Sequence, residues 1–323
     1  MTNQHRKRAA FILGISLILI CAVEFSLRAV YGLGSPALIL LDPASGYEFR
    51  PNQHLHRFGR RIDYNSQGLR SEPLRPLTAG SERILCLGDS VTNGGALTDQ
   101  SATFPYQLEA ELANSGLNVQ ALNASAGGWA PSHEAGFIRE HGLFGSKQVV
   151  WELGTHDLFG GHDLPAPSNP NFPEHAPFSA TGELLSRYVW PRLVGGLKDD
   201  SPLPTPPNDE AERLACLRLL GSTAAFIQSQ GAKLVFLLMP EAREFKEPDF
   251  AAVAKHDFLE EATRLNIPVI NPYPDLVSSN QRGQSPLRDA IHPNPLGNRI
   301  IAKLVAAYLQ HSGLNPRLVD TTR

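Results

Sequence analysis

The sequence predicts an α/β fold in which helices cover both faces of a parallel sheet. Three observations lead there. From residue 83 to about 311, short apolar runs alternate with segments of helical period. The run 233–239, KLVFLLM, is apolar almost throughout, as a strand covered on both faces requires. Polar or glycine-rich clusters follow the strand ends at 88–90, 123–128 and 154–157, and a fourth stands at 289–292 before the last helix. In a parallel sheet the carboxyl ends of the strands share one edge, and ligands bind along it.

In chain order, Ile84 to Leu87 is the first strand, broken at once by Gly88-Asp89-Ser90. A helix over about 103–115 follows, with Phe104, Leu108 and Leu112 four apart, stopped by Asn114-Ser115-Gly116. Val119 to Leu122 is a strand, 132–142 a helix, and 148–153 a strand ending in Gly154-Thr155-His156-Asp157. Order resumes with a helix over 210–228, the strand 233–239, a helix over about 249–265 and a strand Ile267 to Ile270. Asn294-Pro295 opens the final helix, with proline in the first turn.

Two stretches lie outside this rhythm. Residues 35–80 carry turn residues and no helical period, which predicts a β-rich cap or strap on the main domain. Within it, His54-x-His56 shares one strand face and the basic run 57–61 reads as a solvated face. Residues 160–209 are rich in Pro, Gly and Ser and too long for an ordinary connection. They are expected to be an insertion over the strand ends, with one helical piece around Leu184, Leu185, Tyr188 and Val189. The tail 312–323 is expected to be loosely ordered.

The N-terminus points to a membrane. His5-Arg6-Lys7-Arg8 precedes fifteen apolar residues, Ala9 to Val23, in which Ser16 is the one clearly polar side chain. Residues 25–31 extend the span, with Glu24 and Arg28 at its outer edge, so residues 9–31 are read as a signal anchor behind a cytoplasmic basic tip. Cleavage after Gly34 is the alternative, and Ile20 before Cys21 argues against a lipoprotein. The domain 83–311 is then exported.

The 323-residue composition is that of a globular protein, 42% hydrophobic and 19% charged. A net charge of -3 gives no electrostatic case for nucleic acid. Cys21, Cys86 and Cys216 have no metal-site spacing and imply no disulfide framework. No cofactor and no metal are expected, although His162-Asp163 near His156-Asp157 keeps a metal pair in view.

At the fourth cluster, Asp289 stands three residues before His292 in a turn held by Pro293. That spacing lets a carboxylate orient an imidazole whose other nitrogen faces a nucleophile. Gly88-Asp89-Ser90-Val91-Thr92-Asn93-Gly94, Asn123 through Gly128, Gly154-Thr155-His156-Asp157 and Asp289-Ala290-Ile291-His292-Pro293-Asn294 occur in the order of the four blocks of the SGNH (GDSL-type) hydrolase superfamily. The chain resembles that superfamily over residues 83–311. Asn65-Ser66-Gln67-Gly68-Leu69-Arg70 is similar to a segment of its membrane-anchored bacterial members.

The resemblance implies a flavodoxin-like three-layer α/β/α sandwich. It implies Ser90 as nucleophile, His292 as base and Asp289 as its orienter. The oxyanion donors would be the backbone N–H groups of Ser90 and Gly128 and a third group from the block at 154–157. There the family carries Asn and this chain carries His156, so an imidazole is expected to donate instead. Asn93, Trp129 and Phe159 are the candidate substrate contacts, the two rings as a stacking surface for a sugar. The expected activity is that of a serine esterase on O-acyl, chiefly O-acetyl, groups of an exported or cell-envelope glycan. An O-acetyltransferase using the same triad and a non-catalytic glycan-binding or scaffold module remain open.

Overall fold

In a computed structural model, which describes residues 3–160, 171–195 and 209–312, the chain begins with helix α1 (Asn3–Tyr31). The stretch Gln4–Tyr31 is long and apolar enough to cross a membrane. The strap that follows is two hairpins, β1 (Ile39–Asp42) with β2 (Gly46–Phe49), and β3 (Gln53–Arg57) with β4 (Arg60–Tyr64). Phe58 and Gly59 form the second turn with φ of 51° and 74°, the left-handed pair that a tight hairpin of native twist needs. Arg57, expected on a solvated face, is buried, because Glu183 and the Gly32 carbonyl give its guanidinium partners inside. His54 points out and pairs with Asp63 at 3.1 Å.

The main domain contributes β5 (Ser81–Gly88), β6 (Asn118–Ser125), β7 (Gln148–Gly154), β8 (Lys233–Met239) and β9 (Val269–Ile270). All pair in parallel in the order β6-β5-β7-β8-β9. This is the doubly wound order whose switch point lies between the first and third strands, here the ends of β5 and β7. Between the strands run the single turn α2 (Ser90–Asn93), α3 (Phe104–Asn114) and α4 (Pro131–His141). The insertion holds α5 (Ala180–Glu183), a π-turn over Leu184–Val189 and α6 (Trp190–Gly195). Then come α7 (Glu210–Ser229), α8 (Ala252–Arg264), α9 (Tyr273–Gln281) and α10 (Pro295–His311).

Alternation along β5 splits the core into two layers. Leu85 and Leu87 pack with Phe137 of α4, Leu220 of α7 and Phe258 of α8. Ile84 and Cys86 pack on the other face with Leu108 of α3, Leu276 of α9 and Val305 of α10. The result is a three-layer sandwich. The strap joins the first layer through Ile39, Tyr47 and Leu69. Gly136 makes that approach possible, because a Cβ there would lie 2.5 Å from the carbonyl carbon of Ala44.

The described part of the insertion rests on the strap and on α1. Phe172 packs on Tyr47 at 4.9 Å, and Glu183 pairs with Arg57 at 2.5 Å. The expected helical piece is there, over 180–195. Residues 161–170 and 196–208, with His162-Asp163 and most of the proline-rich sequence, lie outside the described residues, as does the tail from 313.

Candidate active site

Ser90 follows β5 directly and opens the single turn α2. Asp89 caps that turn, its Oδ1 accepting from Val91 N at 2.7 Å, and Gly94 ends it at φ 82°. A side chain at Gly88 would not fit, since its Cβ would lie 2.6 Å from Glu152 Oε2. The strap clamps the end of the turn: the buried guanidinium of Arg70 donates to the carbonyls of Asn93 (2.6 Å), Gly95 (2.7 Å) and Thr98 (2.6 Å).

Asp289 and His292 lie in the turn before α10. Asn294 caps that helix, accepting from Leu296 N at 2.9 Å and Gly297 N at 3.1 Å, which fixes where the turn stands. Asp289 Oδ1 accepts from Ile291 N at 3.1 Å and His292 N at 2.8 Å. His292 Nδ1 lies 2.9 Å from both carboxylate oxygens, and His292 Nε2 lies 2.9 Å from Ser90 Oγ. Burial would raise the Asp289 carboxyl, but the hydrogen bonds and charge of His292 hold it below the usual range. The three residues separated by some 200 positions are thus one hydrogen-bonded chain.

The other candidates go elsewhere. Asn93 is buried and donates to the Ser125 carbonyl at 2.9 Å, so it stitches α2 to the end of β6 and offers a substrate nothing. Trp129 is buried against Tyr47 and Phe137, its Nε1 on the Tyr47 carbonyl at 3.0 Å. Phe159 is buried and packs on Phe250 at 6.3 Å. All three are structural, because each has its polar group or ring face already occupied. Gly128 stands in the loop after β6 at φ 78°.

His156 has carboxylate partners that its motif did not indicate. Its Nε2 lies 3.2 Å from Asp89 Oδ2 and 3.8 Å from Asp157 Oδ1, so the imidazole faces two carboxylates and its Nε2–H is spent on Asp89. Gly154 leaves the space for this ring, since a Cβ there would lie 2.6 Å from His156 Nδ1. Burial opposes a charge on His156, but Asp157 and Asp89 outweigh it and push the imidazole up to about 10. Asp89, despite burial, is held below its usual range by His156. Burial takes Asp157 up to about 7, against the charge of His156. One ligand atom from each of the three lies within 4.8 Å of the others. With the imidazole protonated, that cluster is an ion pair.

Around it lie two acids not singled out in the sequence. Glu152 accepts from Thr92 Oγ1 at 3.0 Å, and Glu134 accepts from Trp151 Nε1. Burial pushes both carboxyls well above the usual range, with Asp89 and Asp157 adding repulsion. Glu152 was detectable in principle, as a charge inside the otherwise apolar run 148–153. Beside Asp289 opens a cleft of about 510 Å³, lined by Arg243, Lys246, Leu287, Arg288 and Ala290 among others.

The profile of the GDSL-like lipase/acylhydrolase family matches residues 86–300. The chain belongs to this family. No curated protein matches it. Among solved structures it is similar to a lipolytic G-D-S-L protein from Veillonella parvula DSM 2008, at 16% identity, covering 70% of this chain and 97% of that one with a TM-score of 0.44. A GDSL-like lipase from Bacteroides thetaiotaomicron VPI-5482 is 14% identical over 74% of this chain and 93% of its own, TM-score 0.43. The lipase/acylhydrolase of Enterococcus faecalis is 14% identical over 72% and 96%, TM-score 0.44. The match to the GDSL-like family begins inside β5 and stops in α10, leaving α1 and both strap hairpins outside it.

Proposed function

We propose that this GDSL-family chain is a serine esterase that removes O-acyl groups, chiefly O-acetyl, from an exported or cell-envelope glycan through an acyl-enzyme on Ser90. The observation that carries this reading is the unbroken chain from Ser90 Oγ through His292 to Asp289, with both links at 2.9 Å. Ser90 attacks the ester carbonyl while His292 Nε2 takes its proton and returns it to the departing alcohol. Asp289 holds the tautomer and stabilises the imidazolium. The backbone N–H groups of Ser90 and Gly128 stabilise the oxyanion. His156 keeps Asp89 ionised beneath the nucleophile. The cleft of about 510 Å³ beside Asp289, lined by Arg243, Lys246 and Arg288 and also by Glu241 and Glu247, is polar enough to receive part of a sugar chain.

Helix α1 holds the enzyme in a bacterial cytoplasmic membrane, with the basic residues 5–8 inside and the catalytic domain outside. An acetylated envelope glycan is the ester such a domain meets.

The test is release of acid from an activated acetyl ester by the full chain in detergent. Ser90→Ala is expected to lower turnover by roughly 10⁴-fold or more. Equal rates for the two proteins would defeat the catalytic reading. Acetylated glycans scored for both acetate released and acetyl transferred then separate hydrolysis from transfer to a second sugar.

A further inference from the structure

The helical run 180–195 buries Glu183 and half-buries Arg187, while large apolar side chains stand exposed beside Ser186 and Arg192. Inward, the Glu183 carboxylate is 1% exposed and meets Arg57 at 2.5 Å, Arg187 at 2.9 Å and the backbone N–H of Gly34 at 2.5 Å. Tyr188 packs edge-on against Phe58 at 5.8 Å. Outward, Leu185 is 52% exposed, Trp190 65% and Leu193 74%, and Phe178 just before the helix is fully exposed. The π-turn over Leu184–Val189 aligns residues five apart, so Leu185 and Trp190 share a side, and Leu193 follows three residues later. An apolar ridge of this kind needs an apolar partner.

Its position says which one. The backbone N–H groups of Ala180 (2.7 Å) and Thr181 (2.9 Å) and the Thr181 hydroxyl (2.9 Å) all donate to the carboxylate of Glu24. Arg28 reaches the Phe178 carbonyl at 3.5 Å. Glu24 and Arg28 belong to the last two turns of α1. The run 180–195 therefore starts at the outer end of the membrane span, where tryptophan is favoured at the headgroup level.

We propose that the edge formed by Phe178, Leu185, Trp190 and Leu193 lies in the outer lipid interface and, with α1, fixes the orientation of the esterase domain on the membrane. The proposal rests on the reading of α1 as a retained anchor. Lipid is the occupant because Phe178, Ala180 and Thr181, where the edge begins, are tied to Glu24 and Arg28 at the outer end of the span; a protein partner is an outcome of the test.

Trp190 is a built-in probe, since the other two tryptophans, Trp129 (3% exposed) and Trp151 (0%), are buried. The full chain is reconstituted in phosphatidylethanolamine–phosphatidylglycerol vesicles doped with phospholipid brominated near the top of its acyl chains. Intact mass of the reconstituted chain establishes that α1 is present, so failure of the anchor registers there and not in the quenching. Expected is quenching of tryptophan emission by the brominated lipid and loss of that component in Trp190→Phe. Quenching by aqueous acrylamide with none by brominated lipid would place the edge in water. Quenching by neither would place it under protein. Either result overturns the proposal.

Discussion

Ser90 Oγ has two acceptors of different kinds within reach, His292 Nε2 at 2.9 Å and Asp89 Oδ2 at 3.5 Å. The nearer is the proposed base. The farther is kept anionic by His156, so an imidazole where the family carries an amide puts a buried ion pair under the proposed nucleophile. That pair has a pH signature. His156 is held up to about 10 in the folded chain against an ordinary value of 6.5. The folded state then keeps a proton that the unfolded chain loses, so this stabilisation is complete below about 6.5 and is lost as pH rises through about 10. Its size is roughly a few kcal/mol. Urea denaturation between pH 7 and 10 should show falling stability in the wild type and a flatter profile, lower at pH 7, in His156→Asn. Equal slopes would remove the ion pair from the account. The catalytic candidates were readable in the sequence because their spacing is local: a Gly-Asp-Ser turn after a strand, and a carboxylate three residues before a histidine. The direction in which His156 faces was not, because Asp89 reaches it across 67 residues of chain. Asn93, Trp129 and Phe159 were misassigned for the same reason. Each is a sequence neighbour of a motif, and that proximity does not say which way a side chain points.

The Arg57–Glu183 pair decides how the elements of the strap and insertion hold together. Its side chains are 3% and 1% exposed, so Glu183→Met leaves the buried Arg57 guanidinium without its carboxylate and should cost about 3–5 kcal/mol. Arg57→Met should cost less, because Glu183 keeps Arg187 at 2.9 Å, and the double variant should cost less than the sum of the two. Hydrogen exchange of residues 180–189 should accelerate in both single variants. Unchanged exchange there would mean that the insertion is held by other contacts. Most elements of the main domain were legible because apolar periodicity reports burial. The exceptions have local causes. Strand β9 begins at Val269, short of the expected Ile267, because Pro268 has no N–H to give the ladder and offers its carbonyl to Phe236 N at 3.0 Å. Helix α9 was missed because its start, Asn271-Pro272-Tyr273-Pro274, reads as a turn although proline is well placed in a first helical turn. Arg57 was assigned to solvent since its partner lies 126 residues away.

At the scale of the molecule, the seam between α1 and the rest of the chain bears on whether the helix is retained. Cleavage after Gly34 would remove the Tyr31 carbonyl that accepts from Phe58 N at 3.0 Å and the Gly32 carbonyl that accepts from Arg57 at 2.9 Å. It would also remove Leu33, 2% exposed, and the Glu24 cap of α5. A leader destined for removal has no reason to supply buried contacts to the domain it delivers. The cellular protein is therefore expected to resist alkaline extraction from membranes and to carry an N-terminus upstream of Glu24. A chain beginning at Ser35 gives up the hydrogen bonds of Glu24, Arg28, Tyr31, Gly32 and Gly34 to the rest of the chain, the buried ones at about 1 kcal/mol each and the exposed ones at less, and a domain of this size shifts by roughly 2–4 °C per kcal/mol. Its thermal midpoint should fall by about 5–15 °C relative to the full chain in the same detergent. Equal midpoints, or a mature N-terminus at Ser35, would show that α1 is only a delivery signal. External protease on cells with a permeabilised outer layer should meanwhile digest residues 83–311, and protection of that domain would place it on the cytoplasmic side.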